Sequence, residues 1–394
     1  MARYVSAAAL MTYAAFTCQS ALAADYQTQG LTAADNALPV FYEALRTKMN
    51  FTLGWKDGAD PKTWRAAGLA KARDLMIPDN DRAAFQPAVI DEIDRGSYVA
   101  RKVVFNVTAE SRVLALVLVP KGNGPFPAAL MLHDHGSRFD IGKEKWIAPW
   151  NDSTRENSAK EWSEKFFAGR MPGDELAKRG YVVMATDALG WGDRSVADFQ
   201  RESQQALASN LFNLGSSYAG LIALEDVRSS EFLASLSEVD KGKVAAVGFS
   251  MGAFRAWQVA ALSDSITAAI ADCWMATMPG LMVPGNNQLR GQSAFPMLHP
   301  WIGRYLDYPD VAGLAAPKPM LVYAGEKDTL FPAESVNAAF DKMRRIWAAN
   351  GAADRLETRF WPYGHVFLQD QQDAAFSWLD QPPGTKPYSA FRYR

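Results

Sequence analysis

The sequence predicts an α/β fold, a mostly parallel central sheet with helices on both faces. Three observations carry this. From Pro127 onward, short apolar runs of strand length alternate with stretches of helical periodicity. Several of those runs end in polar turns that contain glycine, at His133 to Ser137, Gly325 to Asp328 and Pro362 to His365. The run Val244 to Val247 enters Gly248-Phe249-Ser250-Met251-Gly252, and Ala253 to Leu262 then reads as a helix. Strand, Gly-x-Ser-x-Gly, helix is the context of a sharp turn that lifts a serine hydroxyl to the end of a sheet.

Composition sets the bounds. The 394 residues, 48% hydrophobic and 12% aromatic, suffice for one large α/β domain or two smaller ones. A net charge of −2 leaves no basic field for nucleic acid. Arg3, the small and apolar run Val5 to Thr17 and the small residues Ala21-Leu22-Ala23 predict a signal peptide over residues 1–23 and an exported chain. Ala15-Phe16-Thr17 before Cys18 is not a lipoprotein box, so no membrane anchor is expected in the mature chain, and no later run is apolar enough to span a bilayer. Cys273 is then alone, which excludes an internal disulfide and predicts a buried small side chain.

The elements follow in order. Residues 24–96 read as an N-terminal helical extension, with helical spacing over Phe41 to Met49 and Trp64 to Met76. The rest, 97–394, reads as one catalytic domain. Ser97 to Val107 and Val113 to Pro120 predict an antiparallel pair, and Pro127 to His133 a buried strand. Arg138 to Arg170 is too long for a simple loop and predicts an insertion over the site. Asp174 to Arg179 predicts a short helix, Tyr181 to Thr186 a strand, and Gln204 to Leu236 one long helical region. After the Gly-x-Ser-x-Gly turn come a strand at Ile266 to Cys273 and a second insertion over 275–316. Strands at Pro319 to Ala324 and Leu356 to Trp361 are each followed by a helix, Ala333 to Ala349 and Val366 to Leu379.

Ser250, Asp328 and His365 thus fall at the carboxyl ends of three parallel strands, where such sheets gather their chemistry. A serine hydroxyl needs a base near neutral pKa, and histidine supplies it. The imidazole needs a carboxylate to fix its tautomer. Glu326, Asp307 and Asp310 compete with Asp328 for that place. An oxyanion needs two N–H donors, expected from Met251 and Ser137. His135, Trp274 and His299 are candidates to line the substrate pocket. His133-x-His135 with Asp134 invites a metal reading, but only two further histidines exist to complete a ligand set, and turn-shaping hydrogen bonds are the plainer role. Asp187 is expected to brace loops, and Arg255 to pair with a carboxylate.

Gly248-Phe249-Ser250-Met251-Gly252, the run Gly325 to Pro332 and Tyr363-Gly364-His365 together resemble the α/β-hydrolase superfamily. Leu132 to Gly136, Ile141 to Trp146 and Tyr305 to Val311 are similar to its dienelactone hydrolase and acetyl xylan esterase-like branch. A dienelactone hydrolase proper has cysteine as nucleophile, and here Ser250 stands in that place, which favours ester hydrolysis. The resemblance, over roughly 97–379, implies an exported serine carboxylic-ester hydrolase that needs no metal or organic cofactor. Its substrate would be a small-molecule or carbohydrate ester. Three rivals stay open: a serine peptidase of the same fold, a catalytically inactive binding protein and a metal-dependent hydrolase.

Overall fold

The computed structural model describes residues 42–77, 81–283, 286–287 and 292–381. The expected signal peptide lies outside them. A nine-stranded sheet forms the centre, with β1 (Ala88–Asp94), β2 (Tyr98–Asn106), β3 (Arg112–Pro120), β4 (Phe126–Leu132), β5 (Val182–Thr186), β6 (Val239–Phe249), β7 (Ala268–Asp272), β8 (Met320–Gly325) and β9 (Leu356–Trp361). Their spatial order is β1-β2-β3-β5-β4-β6-β7-β8-β9. The first three strands pair antiparallel, β3 is antiparallel to β5, and β5 through β9 run parallel.

The inner strands are buried on both faces, which explains their continuous apolar runs. In β6, Val244 and Ala246 join the larger core with Leu130 and Leu132 of β4. Ala245 and Val247 point the other way, into a second core with Ala129 and Met131. Helices α1 (Tyr42–Thr47), α2 (Pro61–Met76), α3 (Ser153–Phe166), α4 (Pro172–Lys178), α5 (Arg201–Asn213), α6 (Tyr218–Ser235), α7 (Met251–Leu262), α8 (Tyr308–Gly313), α9 (Ala333–Ala349) and α10 (Gln369–Asp380) cover these faces.

Two expectations need correction. The long helical region is two helices. Gly215 takes a left-handed φ of +79°, and the Ser217 side chain caps α6 by accepting the Gly220 N–H at 2.8 Å. Residues 24–96 are not helical throughout, because β1 adds an edge strand to β2. The Asp60 cap and Pro61 do start α2, and Trp64 Nε1 donates to Leu53 O at 2.7 Å. The first insertion is packed rather than loose. Trp146 stacks on Phe167 at 5.1 Å between ring centres, and both are buried in the second core.

A buried ion pair ties the helices behind the sheet's edge. Arg255 of α7 grips Asp226 of α6 through Nε to Oδ2 at 2.9 Å and Nη2 to Oδ1 at 2.7 Å. Its Nη1 also donates to His133 O at 3.2 Å. Removing one partner of such a pair strands the other charge. Asp226→Ala is therefore expected to lower stability by about 3–5 kcal/mol. The double change Asp226→Leu with Arg255→Met should regain most of that. Urea unfolding of the three proteins checks this, and a single variant as stable as wild type contradicts it.

Candidate active site

Ser250 sits between β6 and α7 with φ +54° and ψ −126°, a backbone conformation that is strained for a residue with a side chain. Its neighbours show why both flanking positions are glycine. A Cβ on Gly248 would run into the Gly252 carbonyl, and one on Gly252 into the Leu132 carbonyl at the end of β4. The Ser250 N–H is tied to Asp272 O at 2.8 Å, which anchors the turn to β7.

Ser250, His365 and Asp328 stand in hydrogen-bond series. Ser250 Oγ donates to His365 Nε2 at 2.8 Å, and His365 Nδ1 donates to Asp328 Oδ2 at 2.7 Å. The other Asp328 oxygen accepts the Leu330 N–H at 2.9 Å. The competing acids are engaged elsewhere. Asp307 caps α8 and accepts the Met278 N–H at 2.7 Å. Asp310 accepts the Trp55 N–H at 2.9 Å and Lys342 Nζ at 2.7 Å. Glu326 is exposed and makes no bond to His365.

The turn after β4 departs from expectation in one respect. Ser137 N–H donates to His135 Nδ1 at 3.1 Å, so it is not available to an oxyanion. The N–H groups of His135 and Gly136 in the same turn have no acceptor among the described residues. Met251 is the first residue of α7, where an N–H has no partner within the helix.

The histidines divide by environment. His135 lines the pocket beside Ser250. Its Nδ1 accepts from Ser137, so Nε2 carries the proton and donates to Gln204 Oε1 at 2.9 Å. His133 lies behind, donating Nδ1–H to Asp134 O and accepting the Ala188 N–H at Nε2. His299 was expected at the pocket but is buried against α7, with Nε2 on Gln258 Oε1 at 3.1 Å, and it is not on the wall. Trp274 does line the wall, oriented by Nε1 donating to Met297 Sδ at 3.1 Å.

The pocket has a volume of about 290 Å³, at the small end of the range of small-molecule sites. Sequence reasoning missed several of its walls. Phe331, Met297 and Arg201 of α5 face it, beside Trp162 and Phe166, which come from the aromatic insertion expected over the site. It also missed the buried pair beneath it. Lys145 Nζ lies 3.3 Å from Asp134 Oδ2 and 4.6 Å from the Trp162 ring centre. Burial pushes Asp134 above the usual carboxylate range and pulls Lys145 below the usual ammonium range, each against the pull of its partner.

A second charged cluster braces the neighbouring loops. Lys143 Nζ lies 2.6 Å from Asp187 Oδ2, 2.6 Å from Asp193 Oδ2 and 2.9 Å from Glu144 Oε1. Burial opposes its charge, but the three carboxylates outweigh burial and raise its pKa. Asp193 is correspondingly held down at about 2, burial notwithstanding, by Arg155 and Lys143. Cys273 is buried as expected, its Sγ 3.4 Å from Asp272 Oδ1. Burial pushes both groups well above their ordinary values, toward their neutral forms.

Known proteins share this framework. A sequence model of the Abhydrolase family (Abhydrolase_7) matches residues 28–362. A Bacillus subtilis (strain 168) protein named "Putative hydrolase YtaP" is 26% identical over 279 residues, 71% of this chain and 85% of that one. The crystal structure of a "putative acetyl xylan esterase" from Bacteroides fragilis NCTC 9343 aligns with a TM-score of 0.64 at 21% identity, covering 81% of this chain and 80% of that one. A glucuronoyl esterase from Solibacter usitatus aligns at 0.60 and 14% identity, covering 85% and 98%.

The buried histidines make stability depend on pH. Burial holds His135 down at about 4 and His299 at about 3, against about 6.5 in an unfolded chain. Below about pH 6.5 the unfolded chain takes up protons that the folded chain refuses. The histidines' contribution to stability is thus expected to be level above that pH and to be lost as pH drops from about 6.5 toward 4. Urea midpoints at pH 7.5, 6.5, 5.5 and 4.5 measure this. His299→Gln should flatten the fall, and an equally steep fall in that variant contradicts the assignment.

Proposed function

This chain belongs to the Abhydrolase family and is a hydrolase of the α/β-hydrolase fold, and on that footing we propose that it is a serine carboxylic-ester hydrolase. The observation that carries the reading is the hydrogen-bond series from Ser250 through His365 to Asp328 at a strained strand-to-helix turn. Ser250 Oγ attacks the acyl carbon as its proton passes to His365 Nε2. Asp328 holds the imidazole in the tautomer that accepts this proton and stabilises the imidazolium that results. The Met251 N–H and a donor from the His135-Gly136 turn receive the oxyanion. His365 then returns the proton to the departing alcohol, and a water activated by the same imidazole releases the acid from the acyl-enzyme.

We take the substrate to be a carbohydrate ester and the chain to be exported. The acetyl xylan and glucuronoyl esterases that share its fold support the first. So does a pocket walled by Trp162, Trp274, Phe166 and Phe331, apolar faces on which a sugar ring can lie. The N-terminal run up to Ala23 supports the second, and no helix among the described residues is long and apolar enough to cross a membrane.

Ser250→Ala is expected to reduce hydrolysis of an aryl acetate by roughly 10³-fold or more and to abolish labelling by a fluorophosphonate. Acetate release from acetylated xylan should be lost in parallel. Wild-type protein that neither turns over an ester nor takes the label would overturn the reading.

A further inference from the structure

One cation at the pocket has no ion-pair partner among the described residues. Asp134 has Lys145 at 3.3 Å, and Asp328 holds the neutral His365 imidazole at 2.7 Å. Arg201 also faces the pocket, yet no carboxylate among the described residues lies within ion-pair distance of it. Arg201 is thus a cation at the mouth that no neighbouring carboxylate holds.

That charge is held in place. Arg201 Nε donates to Ser137 Oγ at 2.7 Å. Ser137 N–H donates to His135 Nδ1 at 3.1 Å, and His135 Nε2–H donates to Gln204 Oε1 at 2.9 Å. Arg201 and Gln204 are three residues apart and so share one face of α5. The chain of bonds leaves α5 at Gln204, crosses the turn after β4, and returns to α5 at Arg201. Phe212 on the same helix meets Phe295 of the second insertion at 6.3 Å between ring centres, fixing its far end. With Nε pinned, both Nη groups remain without a protein acceptor among the described residues. A planar fork of N–H donors, oriented and uncompensated, matches a carboxylate in geometry as well as charge.

Resting on the ester-hydrolase reading above, we propose that Arg201 is a specificity-determining residue that selects esters bearing a carboxylate near the scissile bond. A neutral ester gains nothing from the fork, whereas an anionic one gains a bidentate pair at the pocket mouth, where Arg201 is exposed.

The test compares matched esters. On the acyl side these are the 4-nitrophenyl hemiglutarate and valerate, and on the alcohol side the acetyl esters of 4-hydroxybenzoate and 4-hydroxybenzamide. The readout is the ratio of kcat/KM, anionic over neutral, in wild type, Arg201→Gln, Arg201→Lys and Arg201→Glu. For at least one pair the wild-type ratio should exceed that of Arg201→Gln by roughly 10-fold or more. Arg201→Lys should recover part of the ratio, and Arg201→Glu should lower it further. The pair that responds tells which side of the ester carries the charge. In wild type alone the ratio should fall as salt is raised, a check that requires no variant to fold. Equal ratios in wild type and Arg201→Gln, with the neutral esters still turned over, overturn the proposal and leave the esterase reading standing. Turnover of no ester by wild type overturns both.

Discussion

The close approach of β4, β6 and α7 at Ser250 is the constraint on which the rest of the site depends. A serine at φ +54° carries strain on the order of 1–3 kcal/mol, which persists only where the surroundings hold it. Here the hold comes from three directions. β6 delivers the residue, β7 takes its N–H through Asp272 O, and α7 begins at once against the end of β4. The two flanking glycines are the only side chains small enough for that contact. Moving any one of these strands moves the hydroxyl, so the position of the Ser250 side chain is a property of the whole inner sheet.

Charge does comparable work in the loops. The turn after β4 would place polar backbone in an apolar interior. Lys145 answers this from within the first insertion, donating to the carbonyls of Asp134 and His135 at 3.1 and 3.3 Å. Trp191 Nε1 adds a bond to His135 O at 3.1 Å. The aromatic residues around them exclude water and raise the strength of each bond. The insertion is therefore part of the site's foundation, and its tryptophans are shared between core and pocket.

Much of this was legible in the sequence because it follows from local rules. The alternation of apolar runs placed every parallel strand, and Gly248 and Gly252 marked the turn by the room they leave. The helix at Ala333 to Ala349 and the strand at Leu356 to Trp361 have the observed bounds. What failed was of another kind. The break at Gly215 was read through, because one glycine and one serine cap hardly disturb a helical pattern. Ser137 looked like a free donor because nothing in the chain announces that His135 will turn back onto it. His299 and Trp274 look alike as aromatics near the second insertion and both pack on Phe254 of α7, but only Trp274 also reaches the pocket wall. Arg201 and Lys145 are ordinary basic residues in sequence, and their surroundings arise from segments scores of residues away. A signal was present for Lys145, since Lys143-Glu144-Lys145 lies in an apolar, aromatic stretch where charged residues require partners.

The Lys143 cluster has one further consequence. Three carboxylates converging within hydrogen-bond distance of one point are a cage of the sort that proteins commonly fill with a borrowed ion. This chain supplies the occupant on its own four-carbon tether. A tethered occupant cannot be diluted away, stripped by a chelator or exchanged for a competitor. The loop that carries Asp187 and Asp193 is thus clamped to the Lys143 segment by a counter-charge whose local concentration is set by covalent bonds.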